Sequence, residues 1–186
     1  AEVLRHADRG DAAEADRAGC ELRTRLAEDA VGSWDPKAPQ HVAANFLSNA
    51  VKFGAGHTNR LVVAPGASFV GTVDGGNAVG AGSISTLELT SGASAGTLSG
   101  LGTTFTNFAQ ITVDSCAHWN LTGIDTLTGL TNNGQIALNP STLTVTNLTG
   151  TGSVTLDAGA TLITQGTVAA GQTNDLPGSG DQLQVT

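Results

Sequence analysis

Leu61-Val62-Val63-Ala64-Pro65-Gly66-Ala67-Ser68-Phe69 recurs as Leu87-Glu88-Leu89-Thr90-Ser91-Gly92-Ala93-Ser94-Ala95 and again as Ile111-Thr112-Val113-Asp114-Ser115-Cys116-Ala117-His118-Trp119. A later copy is Val154-Thr155-Leu156-Asp157-Ala158-Gly159-Ala160-Thr161-Leu162, and Ile136-Ala137-Leu138-Asn139-Pro140-Ser141-Thr142-Leu143 is a looser version one residue shorter. The copies start at Leu61, Leu87, Ile111, Ile136 and Val154, and such steps, about 18 to 26 residues, are of solenoid size. Apolar residues two apart point to one face of a strand, a Gly-Ala corner redirects the backbone, and the next apolar residue points inward again. One copy cannot bury its face. Stacked copies can, because each strand pairs with its equivalent in the next coil at about 4.8 Å and the inward residues form a continuous column. The repeat therefore predicts an all-β chain wound as a parallel β-helix (β-solenoid) of about five coils. Its inward positions are Leu61, Val63, Leu87, Leu89, Ile111, Val113, Ile136, Leu138, Val154 and Leu156. The alternative is a β-sandwich whose hairpins share turn chemistry, but few Asn-Gly or Asp-Gly hairpin signals separate the strands.

Working outward, the same grammar of short apolar alternations broken by Gly, Asn, Asp and Ser runs from Val51 to Thr186. Residues 61 to 186 hold 23 Thr and 20 Gly; the first suits extended chain and the second tight corners. Residues 51–186 are thus read as the Thr/Gly-rich solenoid. Residues 1–50 read differently. Ala, Arg, Asp and Glu fill 21 of the first 30 positions, and Asp11 is placed to cap a helix with a thin stripe of Ala15, Ala18, Leu22 and Leu26. Alanine buries little surface, so the segment is helical or disordered. It reads as a cap over the first coil, since an open solenoid end exposes unpaired strand groups, or as an off-frame translation of a GC-rich gene.

Charge is divided the same way. The chain up to Arg60 carries all 8 Lys and Arg against 9 acids, and everything after it carries 7 acids and no base. A stretch without cations cannot release counterions from nucleic acid, so no nucleic-acid partner is expected. No apolar run approaches the roughly 20 residues that cross a bilayer, and no basic start followed by an apolar stretch acts as a signal peptide. With no initiator Met, the sequence reads as a processed chain or a fragment.

The Gly-Ala corners, together with Val73-Asp74-Gly75-Gly76-Asn77, Gly100-Leu101-Gly102-Thr103-Thr104-Phe105-Thr106-Asn107-Phe108 and Thr131-Asn132-Asn133-Gly134, give residues 50 to 186 a text that resembles the β-helical passenger repeats of bacterial autotransporters and related surface proteins. That resemblance implies a right-handed parallel solenoid on an extracellular or cell-surface protein of the bacterial outer membrane. Its function would be that of a spacer, display stalk or adhesive surface, with host matrix, glycans or other cells as partners. In that family a membrane barrel follows the solenoid; here the last residues, Asp181 to Thr186, look like the opening strand of another coil, so the chain would be part of a passenger.

Reactive groups are sparse. Cys20 and Cys116 lie in different regions, and spacing gives no support for a disulfide between them. Cys116 stands where sister corners have glycine, which strains the turn if the position needs a positive φ. Four scattered histidines and no cysteine pair make no transition-metal site; His118 reads as a solvent-facing residue. Gly75-Gly76-Asn77 lacks the Asp of a calcium roll, and Gly178-Ser179-Gly180-Asp181 is one residue short of it. A polysaccharide-processing β-helix is the runner-up function. It requires carboxylates converging within about 5 to 10 Å, and Asp74, Glu88, Asp114, Asp125 and Asp157 are mostly single acids on different coils. Only Asp114 and Asp157 share a position in the repeat and are candidates to line one edge. Thr142-Leu143-Thr144-Val145-Thr146 and Thr126-Leu127-Thr128 suggest a third function, a Thr-rich ice-binding face. The expectation is no enzyme, no cofactor and no metal, with no catalytic or binding residue assigned.

Overall fold

The computed structural model describes residues 56–69 and 71–186. The segment 1–50, with Cys20 and its expected helix, lies outside these residues. In chain order the strands are β1 (Asn59–Val63), β2 (Val73–Asp74), β3 (Ser85–Leu89), β4 (Gly96–Ser99), β5 (Phe105–Thr106), β6 (Gln110–Val113), β7 (His118–Asn132), β8 (Gln135–Thr149), β9 (Ser153–Leu156), β10 (Thr161–Thr164), β11 (Thr173–Asp175) and β12 (Gln182–Val185). Every strand pairing is parallel. A sandwich of antiparallel hairpins is thereby excluded, and the described chain is a β-solenoid with no helix.

Three faces follow from the register. The first stacks β1, β3, β6, residues 129–132 of β7 and residues 147–149 of β8. The second stacks β4, residues 118–122 of β7, residues 135–138 of β8, then β9 and β11. The third stacks residues 123–127 of β7, residues 141–145 of β8, β10 and β12. The long strands β7 and β8 thus run around two corners each. Where they bend together, Leu121 pairs with Leu138 but Gly123 with Ser141. The extra residue falls at Asn139-Pro140, a bulge that tolerates a proline without a donor.

Inside each face, side chains at equal register form columns. Leu61, Leu87, Ile111, Leu130 and Leu148 make one; Val63, Leu89 and Val113 make its neighbour, which Asn132 ends. All ten inward positions named from the sequence are buried. Their grouping differs from the expectation of a single series. Leu61, Leu87 and Ile111 belong to the first face, whereas Ile136 and Val154 pair with Trp119 and each other on the second. The reason is that the corner between the first and second faces and the corner between the second and third are made the same way. Ala67 N donates to Ala64 O at 3.2 Å and Ala117 N to Asp114 O at 3.1 Å at the former, and Ala160 N to Asp157 O at 3.1 Å at the latter.

These turns demand a left-handed residue. Gly66 has φ 87° and Gly159 φ 81°, and Cys116 holds φ 63° at the matching place, so the expected strain is present. Ala158, at φ 55°, and Asn107, at φ 60°, are the other described non-glycine residues in this region. Gly92 departs from its sister glycines: its φ is not positive, but a β-carbon there would lie 2.8 Å from Pro65 Cγ on the neighbouring coil. Close packing selects glycine at that corner.

The coils are unequal. On the first face Asn59 pairs with Ser85, Thr86 with Gln110, Gln110 with Gly129 and Gly129 with Asn147. Each step is shorter than the last, from about 26 residues down to about 18, the lower end of solenoid repeat lengths. The surplus in the first two coils lies on the return path, where β2 and β5 form a separate two-stranded ladder in place of a full third face. A polar network centred on the buried Asn77 and Ser85 ties these two coils together. Asn77 Nδ2 donates to His57 O at 2.6 Å and Ser85 Oγ at 3.0 Å, Asn77 Oδ1 accepts from Gly56 N at 2.8 Å, and Asn59 Nδ2 and Ser85 Oγ both donate to Gly75 O. At the other end, Leu183 and Val185 continue two inward columns yet are 40% and 68% exposed.

Candidate functional site

The solenoid gathers three charged side chains on the outside of its first face. Arg60 on β1 donates through Nε to Glu88 Oε2 at 2.6 Å, and its Nη2 reaches the same oxygen. Glu88 lies opposite Val62 in the ladder, so the guanidinium crosses diagonally between adjacent coils. Asp114 follows β6 directly. Burial raises the proton affinity of its carboxyl above the ordinary value, the charge of Glu88 and a hydrogen bond with it add to the effect, and Arg60 opposes it. The two carboxyls are hydrogen-bonded to each other across adjacent coils, and the guanidinium beside them is a fixed positive charge. Sequence reading missed this grouping because it counted Glu88 and Asp114 as acids of separate coils and left Arg60 outside the repeat. The usable signal was their separation, close to one coil step.

The expected edge of Asp114 and Asp157 does not form. Asp114 stands at the corner after the first face and Asp157 at the corner after the second. Asp157 instead approaches Asp181: a β-carbon on Gly178 would lie 2.9 Å from Asp157 Oδ1 and 2.5 Å from Asp181 Oδ2. Both acids hold backbone, Asp157 Oδ1 accepting from Ala158 N at 2.7 Å and Asp181 from Gly159 N at 3.0 Å and Gly178 N at 2.5 Å. Asp74 does the same, accepting from Gly76 N and from Asn107 Nδ2, each at 2.8 Å.

Asp125 is different. It is 1% exposed and occupies the inward column that Leu143, Leu162 and Leu183 continue. Its Oδ1 accepts from Leu101 N at 2.8 Å, and its Oδ2 is buried with no partner. Desolvation pushes its carboxyl up to about 6, partly offset by the backbone N–H groups of Leu101 and Gly100. The acid tethers the irregular segment that replaces the third face in the second coil.

Threonines line up without uniformity. On the third face the outward pairs are Ile124 and Thr126, Thr142 and Thr144, Thr161 and Ile163, then Gln182 and Gln184, so one coil alone carries Thr at both places. On the first face Thr131 and Thr149 spend their hydroxyls on each other at 3.0 Å, with Gln110 Nε2 donating to Thr131 Oγ1 at 2.9 Å. His118 is exposed at the start of β7, and Cys116 is exposed with a free thiol. Among the described residues no three His, Cys, Asp or Glu side chains gather as metal ligands, and no helix is long and apolar enough to cross a membrane.

A cleft of about 570 Å³ opens where the first two coils fail to pair. Ser68, Phe69 and Thr72 line one wall, and Thr97, Ser99 and Phe105 the other. Phe69 meets Phe105 edge to face, with centroids 5.1 Å apart. No protein-family model, curated protein or solved structure matches this chain.

Proposed function

We propose that the chain is a non-catalytic segment of a secreted or cell-surface protein of the autotransporter-passenger type, acting as a spacer, display stalk or adhesive surface. The observation that carries this reading is one parallel register held around an apolar interior, with polar side chains spent on joining coils. A rod whose corner acids bind their own backbone N–H groups is suited to bearing load and presenting a long side. The resemblance of residues 50 to 186 to passenger repeats supports the same reading. Purified protein would be tested for adhesion to matrix proteins, glycans and whole cells. Binding to any of them supports an adhesive surface, and binding to none leaves the spacer role.

A second reading, polysaccharide processing, draws on the raised Asp114 carboxyl beside Glu88. Paired carboxyls are the equipment of glycoside hydrolysis, although these two bond to each other where that chemistry needs them about 5 Å or more apart. Release of reducing ends from a polysaccharide, abolished by Asp114→Asn, would favour it over the structural role. A broad panel with no release would retire it.

A further inference from the structure

On the second face, residues 118–122 lie between β4 and β8, and β9 lies between β8 and β11. β4 is paired on one side only among the described residues, and its other edge, along Thr97 to Ser99, looks onto the cleft. An open strand edge presents main-chain donors and acceptors in alternation. Five hydroxyls join them, from Ser68, Thr72, Thr97, Ser99 and Thr104, each able to donate and to accept. Among the described residues no charged side chain lines the space. At its base the half-buried Phe69, braced by the buried Phe105, supplies an apolar ring.

This lining selects its ligand by exclusion. An ion entering would shed hydration with no opposite charge to meet it, and a wholly apolar molecule would leave the hydroxyls and strand edge unpaired. A molecule rich in hydroxyls, each able to donate and to accept, with a C–H face for the ring satisfies both. We infer that the cleft between the first two coils binds a neutral saccharide. One sugar ring packs against Phe69, while its hydroxyls bond to Ser68, Thr72, Thr97, Ser99 and the open edge of β4. The volume falls within the roughly 300 to 1,000 Å³ of small-ligand sites. A peptide strand adding to β4 is the competing occupant. It needs separate apolar pockets for alternate side chains, whereas here Phe69 and Phe105 pack on each other and hydroxyls stand among the apolar residues of both walls. The inference rests on the adhesive form of the proposed function.

The test titrates the whole chain with short neutral glucan, mannan and galactan oligosaccharides by calorimetry and saturation-transfer NMR. Polygalacturonate and a short Val/Ser strand peptide serve as the charged and peptide arms. At least one neutral oligosaccharide binds, and Thr97→Arg, at an exposed position, weakens it about tenfold or more, the equivalent of a lost hydrogen-bonded contact. Phe69→Ala weakens it similarly, whereas Thr155→Arg, outward on β9, leaves it unchanged; melting temperatures check that each variant folds. Binding untouched by Thr97→Arg overturns the site, as does binding of the charged polymer or the peptide alone. No saccharide binding by a chain that still adheres to cells or matrix protein overturns the cleft and spares the adhesive reading. No adhesion of any kind removes both.

Discussion

The first two coils and the three that follow solve the same stacking problem with different materials. From Ile111 to Leu162 three faces are paired, and Leu138, Leu143, Leu148 and Leu156 fill the interior with fully buried aliphatic side chains. Each of these coils closes in about 17 to 20 residues, near the minimum for a repeat that stacks. From Asn59 to Val113 the steps are longer, the third face shrinks to the short ladder of β2 and β5, and the buried side chains include the polar Asn77 and Ser85. Surplus chain is tolerated when its backbone finds polar partners, because loop closure grows costly only slowly with length while an unpaired buried amide is costly at once. The looser end is also where the cleft opens, so irregularity and a candidate ligand site have one cause.

The contrast can be broken first in the regular half. Val113→Asp places an unpaired charge in a dry column and should cost several kcal/mol, read as loss of the cooperative transition in urea; an unchanged midpoint would mean that the inward assignment is wrong. Leu138→Ala should cost about 3 kcal/mol, and Leu98→Ala, facing the cleft side of the stack, less than that, since its surroundings are less complete. Equal losses would erase the difference between the two halves. Asn77→Ala should cost about 1 kcal/mol by removing the bonds that its buried side chain makes to Gly56 N, His57 O and Ser85 Oγ. If it proves neutral by calorimetry, the polar network is incidental to the irregular coils.

Asp125 sharpens the comparison through pH. Its folded carboxyl titrates at about 6, above the unfolded value of about 3.9. Native protein therefore holds the proton more tightly, and this contribution is fully present below pH about 4 and is lost as pH rises through 6. Its share of stability should fall by about 1 kcal/mol from pH 5 to pH 7, and Asp125→Asn should flatten that slope in denaturant titrations; the raised Asp114 acts in the same direction. The smallest effects belong to the corners. Cys116→Gly and Ala158→Gly relieve left-handed strain and should each stabilise by about 1 kcal/mol, seen as a rise in melting temperature of a few degrees.

Much of this was legible beforehand for a local reason. Alternation in Leu61-Val62-Val63 or Ile136-Ala137-Leu138 needs only its own residues to be read, and every inward position so named is buried. The corner at Cys116 was legible too, because its sister copies carry Gly66 and Gly159. What escaped was membership. Ile136 and Val154 repeat the motif of Ile111 but stack on a different face, since two corners of one coil share a turn. The grouping of Arg60, Glu88 and Asp114 escaped for the same reason, being a product of register between coils.

That the chain alternates, turns and stacks in parallel can be read from its residues, because side-chain direction and turn chemistry are written within a few positions. Which strands share a face, the place of Asp125 inside a leucine column and, among the described residues, the one-sided pairing of β4 emerge from the folded chain. Those outcomes depend on main-chain hydrogen bonds between segments a full coil or more apart along the chain. Such bonds carry no side-chain signature, so coil packing alone selects among them.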